Sequence, residues 1–414
     1  MARTEPLGAR AEWRRYWPLP LVAALGLSSS GLATHAIGPL MVPLAQEFGW
    51  SRAQISAGLT VCSIGSVLFL SLMGMLVDRW GSRRVGLAGV LLMPAAFALL
   101  GTATGGFTNW LVLWCGMAFG ALWVSGTTWT PAVASRFDAG RGMAVALTVS
   151  GGALSLVIFP PLVTALMQSF GWRQACFLTA AIVAPILFLL VYFFFRDARN
   201  DPGSNPRERA EAAALSGGVG LAEGLRMRAF YALLLAGGAF TFSLVGTMVH
   251  IVPMMISLGD TPVTAAWIAS LAGFASLAGR LATGALLDRF PGYLVGAVAY
   301  FLPIAACLLL LTGGAHLPVQ IAAAIIFGLT MGAELDVVTY LATRYFGMRH
   351  IGTMLGTVMS ATSAGLATGP LVAGMIFDRF ASYAPFMMIT IGLMLVSGAA
   401  LLSLRRTPMF AADH

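Results

Sequence analysis

Trp267-Ile-Ala-Ser-Leu-Ala-Gly-Phe-Ala-Ser-Leu-Ala-Gly-Arg280-Leu-Ala-Thr-Gly-Ala-Leu-Leu-Asp288-Arg289 is apolar or small at every position except Arg280, until a charged pair closes it. A stretch of this length and apolar character is long enough to cross a bilayer as a helix. At ~1.5 Å rise per residue, Arg280 lies about 12 Å inside the end marked by Asp288. That is deep for a side chain reaching back to the interface. Hydrocarbon does not tolerate a lone guanidinium without a partner or a water-filled cavity. Two readings are open: an anion-binding arginine facing a central pathway, or a structural arginine paired with a carboxylate of another helix.

The surrounding chain has the same character. Its 414 residues are 58% hydrophobic and 10% charged, against roughly 25% charged in soluble domains. Repeated apolar runs of 20 or more residues predict helices and exclude a barrel, whose strands would be ~10 residues and alternating. Twelve spans are expected, at about 17–44, 53–77, 85–105, 108–134, 143–167, 172–195, 229–257, 264–287, 294–314, 318–343, 352–377 and 383–404. The polar, arginine-bearing start, Met1 to Arg15, precedes an apolar run too long for a signal-peptide core, so the first span is expected to be retained.

The basic residues are all arginine, and the net charge is +8. With both termini inside, all but four arginines fall on the cytoplasmic side. Arg52, Arg173 and Arg379 are external, and Arg280 is within a span. The positive-inside rule therefore predicts cytoplasmic termini, and nucleic acid is not an expected partner. Cys62, Cys115, Cys176 and Cys307 lie in predicted spans at spacings that suit neither a metal site nor a disulfide framework, and are expected as buried free thiols. No nucleotide-binding fingerprint is present, and the chain has no Lys to complete a phosphate loop. Enzymatic chemistry and cofactors are not expected.

The polar stretch 196–228 divides six spans from six. It predicts an N-terminal bundle over 1–195, a cytoplasmic linker, and a C-terminal bundle over 229–414. The halves repeat. Gly74-Met-Leu-Val-Asp78-Arg79 returns as Gly284-Ala-Leu-Leu-Asp288-Arg289, Arg136-Phe137 as Arg344-Tyr345, and Pro161-Leu-Val as Pro370-Leu-Val. The offsets agree at about 208–210, which predicts two pseudo-symmetric repeats with a site between them near the midplane.

Gly74-x-x-x-Asp78-Arg79-x-Gly81-x-Arg83-Arg84 resembles the signature loop of the major facilitator superfamily, with a weaker copy at Gly284–Arg289. The resemblance covers the whole chain and implies an all-α membrane protein of twelve transmembrane helices in two six-helix bundles. That fold usually works as a monomer in the lipid bilayer. Gln46-Glu47-Phe48-Gly49-Trp50-Ser51-Arg52, Arg136-Phe-Asp-Ala-Gly-Arg141-Gly142-Met-Ala with Gly151-Gly152, and Phe170-Gly171-Trp172-Arg173 resemble the monocarboxylate porter and oxalate/formate antiporter group. In that group an arginine of the eighth span binds substrate, and Arg280 is similar to it. Many monocarboxylate porters carry an Asp one turn before that arginine; here the position is Ser276. The usual carboxylate partner for proton coupling is therefore absent from its usual place.

The residues suited to chemistry are few. Arg280 suits a carboxylate because its planar fork donates two parallel bonds. Ser276 lies one turn earlier on the same face and offers a hydroxyl, or simply bonds its own backbone. His250, one turn before Pro253, offers an imidazole; the resemblance places its span beside the cavity, and a bond to a neighbouring helix is the alternative. His35 is a weaker candidate near the end of the first span. Glu334 and Asp336 are candidate proton sites, ~200° apart on the helix wheel and so not facing one point. The alternative for both is a charge network with Arg344 or the loop arginines. The pseudo-repeat sets Leu70, Gly126 and Thr128 opposite Arg280, Glu334 and Asp336, leaving the N-terminal half an uncharged wall such as Phe119, Trp123, Thr127, Trp129 and Ser150. Asp78, Arg79, Arg83, Arg84, Asp288 and Arg289 are expected to form a cytoplasmic gate.

One fixed cation beside an apolar wall suits a small organic anion with a hydrocarbon part. The expected activity is proton-coupled symport of a small monocarboxylate, such as lactate or pyruvate, across a bacterial inner membrane. An exchanger of dicarboxylate- or formate-type anions is the alternative, followed by a drug exporter or a transporter-like receptor.

Overall fold

The computed structural model describes residues 9–137, 140–196, 221–287, 289–346 and 351–406, and these are helical almost throughout. In chain order the helices are α1 (Ala9–Tyr16), α2 (Pro18–Ser28), α3 (Gly31–Thr34), α4 (Ile37–Phe48), α5 (Arg52–Trp80), α6 (Ser82–Leu100), α7 (Phe107–Trp123), α8 (Gly126–Arg136), α9 (Arg141–Val149), α10 (Gly151–Phe194), α11 (Leu221–Gly224), α12 (Arg228–Val249), α13 (Ile251–Ser257), α14 (Pro262–Leu287), α15 (Gly292–Gly313), α16 (Leu317–Phe346), α17 (Ile351–Phe380) and α18 (Ala384–Ser403).

Among the described residues, eleven stretches are long and apolar enough to span a membrane. One of them, Arg141–Phe194, has 54 residues, which at ~1.5 Å each is more than twice the thickness of a hydrocarbon core. Gly171 divides it, with φ 79° and ψ 163° in the middle of α10. That conformation is open to glycine and closed to residues with a Cβ, so the stretch is two spans and the count is twelve.

Several spans are also broken internally, which their apolar composition does not reveal. The first span divides into α2, α3 and α4. At the first break the hydroxyls of Ser28, Ser29 and Ser30 bond the carbonyls of Leu25, Gly26 and Leu27 at 2.7, 2.6 and 2.8 Å. Side chains that compete in this way loosen a helix. Between α7 and α8, the buried Trp129 indole donates to the Val124 carbonyl at 3.0 Å.

The chain forms two compact units. The first gathers Met1–Phe48 and Val61–Ser204, and the second gathers Gly49–Thr60 and Asn205–His414. Trp110, Trp114, Trp129, Phe97 and Phe159 are fully buried in the first unit. Tyr300, Tyr345, Phe240, Phe327 and Phe386 are fully buried in the second.

Within the second unit, α14 and α16 touch backbone to backbone. A Cβ on Gly279 would lie 2.1 Å from the Leu329 carbonyl oxygen, one on Gly328 2.1 Å from that of Ala272, and one on Gly332 2.1 Å from that of Ser276. Small residues four apart permit this approach between membrane helices. It brings the Gly332 turn against the Ser276–Arg280 turn and so fixes the position of the buried arginine. Gly332→Ala is expected to push the helices apart and to destabilise the fold by about 1–3 kcal/mol, an overpacking cost. Thermal unfolding of the purified variant in detergent measures this; an unchanged melting temperature would show that the contact is not needed.

Candidate functional site

Arg280 projects from α14 beside Asp336 of α16. Its Nε lies 3.8 Å from Asp336 Oδ2, with the side chains 14% and 32% exposed. At that distance the pair is a charge contact, beyond the reach of a hydrogen bond. Arg280 Nη1 is buried and has no hydrogen-bond partner among the described residues. The guanidinium therefore has a counter-charge but free donor capacity, and a carboxylate can take two donors of one fork. Of the two readings the sequence left open, the structure shows the pairing of Arg280 with a carboxylate of another helix. Ser276 is buried one turn earlier, with its carbonyl against Gly332.

Glu334 leaves α16 on a different side, as its angular separation from Asp336 requires. Its carboxylate meets the Thr241 hydroxyl of α12. The two acids thus occupy separate environments, one against Arg280 and one in a small cavity lined by Thr241, Glu334, Val338, Thr362, Ser363 and Leu366. Arg344, the alternative partner, instead places its guanidinium 5.9 Å from the Tyr340 ring.

His250 sits where α12 gives way to α13, fully buried. Its Nε2 lies 2.9 Å from the Pro370 carbonyl and 3.2 Å from the Ser56 hydroxyl; its Nδ1 lies 2.8 Å from the Tyr383 hydroxyl. A carbonyl only accepts, so Nε2 carries the hydrogen and Nδ1 accepts from Tyr383. The Tyr383 oxygen in turn accepts from Arg52. Asp378 completes the cluster: its carboxylate accepts from the backbone N–H groups of Arg52 and Ala53, at 2.8 and 2.9 Å, and so caps the start of α5. The Arg52 guanidinium lies 3.4 Å from the Phe377 ring centre. With both ring nitrogens engaged by protein, His250 positions these elements, and the structure does not group it with Arg280. His35 has a comparable bond within the first unit, Nδ1 to Ser155 Oγ at 2.8 Å.

Phe119 belongs to the first unit, where it is 53% exposed and lines an apolar groove with Ile64, Leu68, Leu72, Cys115 and Trp123. Cys115 is exposed there, contrary to the expectation of a buried thiol, while the other three cysteines are buried. Of the expected gate, Arg79, Arg84 and Arg289 are exposed, and Arg83 donates to the Tyr192 carbonyl at 2.6 Å. Asp288 and the side chain of Asp78 lie outside the described residues.

Two of the resemblance-bearing motifs meet in the first unit, a pairing that the sequence reading did not make. Arg173 pairs with Glu47 at 2.6 Å and donates to the carbonyls of Gly101 and Ala103 at 3.0 and 2.8 Å. The Trp172 indole donates to the other Glu47 oxygen. The glycine break at Gly171 turns the chain so that both residues reach one acid. The third motif receives α1: the Gly140 amide donates to Glu12 at 2.8 Å, and Trp13 packs on Phe137 with ring centres 5.2 Å apart.

The Major Facilitator Superfamily model matches residues 23–370, and the chain belongs to that family of secondary transporters. Among its relatives, "Monocarboxylate transporter 13" of Bos taurus is 26% identical over 385 residues, covering 91% of this chain and 86% of the relative. "Monocarboxylate transporter 11" of Homo sapiens is 26% identical, covering 92% and 81%. "Agnestins efflux protein AgnL12" of Paecilomyces divaricatus is 27% identical, covering 72% and 66%. The fold is that of a bacterial homolog to the human lysosomal transporter Spinster, solved in an inward-facing and occupied conformation; the TM-score is 0.72 at 17% identity, covering 97% of this chain and 99% of that one.

Removing the Tyr383 hydroxyl leaves His250 Nδ1 buried without its donor and Arg52 without an acceptor. Tyr383→Phe is expected to lower stability by about 1–3 kcal/mol, the cost of an unsatisfied buried group, without changing the affinity for the transported substrate. Thermal unfolding with and without substrate separates the two effects; a changed affinity at unchanged stability would place the cluster in the binding site.

Proposed function

We propose that the protein carries a small monocarboxylate together with a proton, and that Arg280 is the residue that receives the carboxylate. The observation that supports this most is the Arg280–Asp336 pair: a buried guanidinium held near neutrality by an acid that does not use up its donors. In the empty carrier the two charges offset each other. An entering carboxylate takes the donors of Arg280 and becomes its counter-ion. Asp336 is then a second negative charge at a partly buried position, where desolvation favours the protonated acid. Uptake of one proton leaves the loaded site neutral, and the cycle avoids about 2.3 kcal/mol per charge per 100 mV of membrane potential.

In this account Asp336, on α16, does the work of the acid that many monocarboxylate porters carry at the position of Ser276. The names of the two monocarboxylate transporters agree with a carboxylate substrate. A sugar is disfavoured, since it requires many hydrogen-bonding side chains around it. The arginine asymmetry supports cytoplasmic termini.

Labelled L-lactate uptake into proteoliposomes, with and without an inward proton gradient, tests the proposal. Wild-type uptake should be driven by the gradient. Arg280→Ala should reduce it by at least 100-fold while inserting normally, and Arg280→Lys should recover only a small part, because a point charge does not replace the fork. Gradient-independent exchange of preloaded carboxylates would favour the antiporter. Wild-type-like uptake by Arg280→Ala would remove the arginine from the mechanism.

A further inference from the structure

The Glu334 cavity has a composition that the carboxylate site does not explain. It encloses about 210 Å³ between α12, α16 and α17, and its polar lining consists of Glu334, Thr241, Thr362 and Ser363. Each hydroxyl already has an acceptor on its own helix. Thr241 reaches the Gly237 carbonyl at 2.9 Å, and Thr362 and Ser363 reach that of Met359 at 2.8 and 3.0 Å. A hydroxyl has one hydrogen and two lone pairs. With the hydrogens of Thr362 and Ser363 committed to α17, their two hydroxyl oxygens and a carboxylate supply lone pairs to the lining of one small space. The contact between Thr241 and Glu334 sharpens the point. The single Thr241 hydrogen faces two acceptors, Gly237 and Glu334. When it stays on Gly237, two acceptor oxygens meet and require positive charge to hold them together.

We propose that this cavity is a sodium site, with Glu334 supplying the charge and Thr241, Thr362 and Ser363 supplying neutral oxygen ligands. An all-oxygen set without nitrogen or thiolate suits a hard cation and not a transition metal. One carboxylate matches one monovalent charge. The volume accommodates an ion with several waters, at ~30 Å³ each. Among the described residues, the charged or titratable groups that act on Glu334 include Arg280 of α14 and Tyr300 of α15, with Asp336 two positions along α16. Arg280 is offset by Asp336 on α16 itself, so the cavity keeps a net attraction for a cation. The proton taken up with a carboxylate at Arg280 cancels its charge, so sodium binding is expected with or without that substrate. The proposal is independent of the carboxylate reading: sodium is a bound ion and not a carried one, and the binding is measured without any carboxylate.

The test is thermal unfolding of the purified full-length protein at pH 8 in NaCl, KCl or choline chloride of equal ionic strength, with radiosodium binding in parallel. Sodium should raise the melting temperature saturably, and potassium and choline should not. Glu334→Gln should abolish the response, and Thr362→Val and Ser363→Ala, which retain the acid, should each weaken apparent sodium affinity at least tenfold. Arg280→Ala should lose lactate transport yet still bind sodium, which separates failure of the carboxylate reading from failure of this one. Equal melting temperatures in the three salts, or a pH-dependent melting temperature indifferent to sodium, would overturn the proposal, the latter leaving Glu334 as a site for a proton alone. An undiminished sodium response in Glu334→Gln, or in both hydroxyl variants, would also overturn it.

Discussion

A guanidinium in the middle of a membrane helix has to be neutralised, and the second unit is arranged so that it is. Arg280 cannot move along α14, so the acid must be brought to it. The glycines at 279, 328 and 332 let α14 and α16 meet at their backbones, and the approach sets Asp336 at 3.8 Å from Arg280. The gap matters as much as the pairing. A tight bidentate bridge would occupy the arginine's donors, whereas a looser charge pair offsets its charge and leaves donors for an incoming anion. In the proposed cycle an anion binds only after the acid is displaced, which gives a physical reason for a proton to travel with it.

The same helix carries two acids, and their separation gives each its own environment. Two residues apart on α16, Glu334 and Asp336 point ~200° from one another. Asp336 faces the arginine, while Glu334 faces the hydroxyls of α12 and α17. A single shared site would have forced them to repel or to share a proton. Two sites on one rigid helix can instead be linked, since charge placed at one alters the field at the other.

Much of this was legible in the sequence, and the exceptions have physical causes. Span number and the break between spans five and six could be read because apolar runs and a glycine at 171 are local signals. Arg280 stood out for the same reason: one charge in an otherwise apolar helix. The identity of its partner was not legible, because Asp336 is 56 positions away and only the glycine contact between α14 and α16 brings it near. Similarly, Glu47 and Arg173 were seen as parts of separate motifs, and their ion pair depends on a chain reversal at Gly171. His250 was read either as a substrate ligand, because the resemblance places its span beside the cavity, or as a histidine bonded to a neighbouring helix. Its engagement by Pro370 and Tyr383 depends on helices more than 100 residues downstream. The internal breaks at Ser28–Ser30 were missed because serine is compatible with a continuous helix until its hydroxyl takes over a backbone acceptor.

The central claim is that a substrate carboxylate replaces Asp336 at Arg280 and that Asp336 then takes the proton. The most direct measurement is lumen pH, read by a trapped dye, when L-lactate is added to proteoliposomes with no initial pH gradient. The account predicts acidification in proportion to lactate uptake, one proton per anion, and its loss in Asp336→Asn while lactate–lactate exchange continues. Uptake by the wild type without acidification, or acidification undiminished in Asp336→Asn, would contradict it.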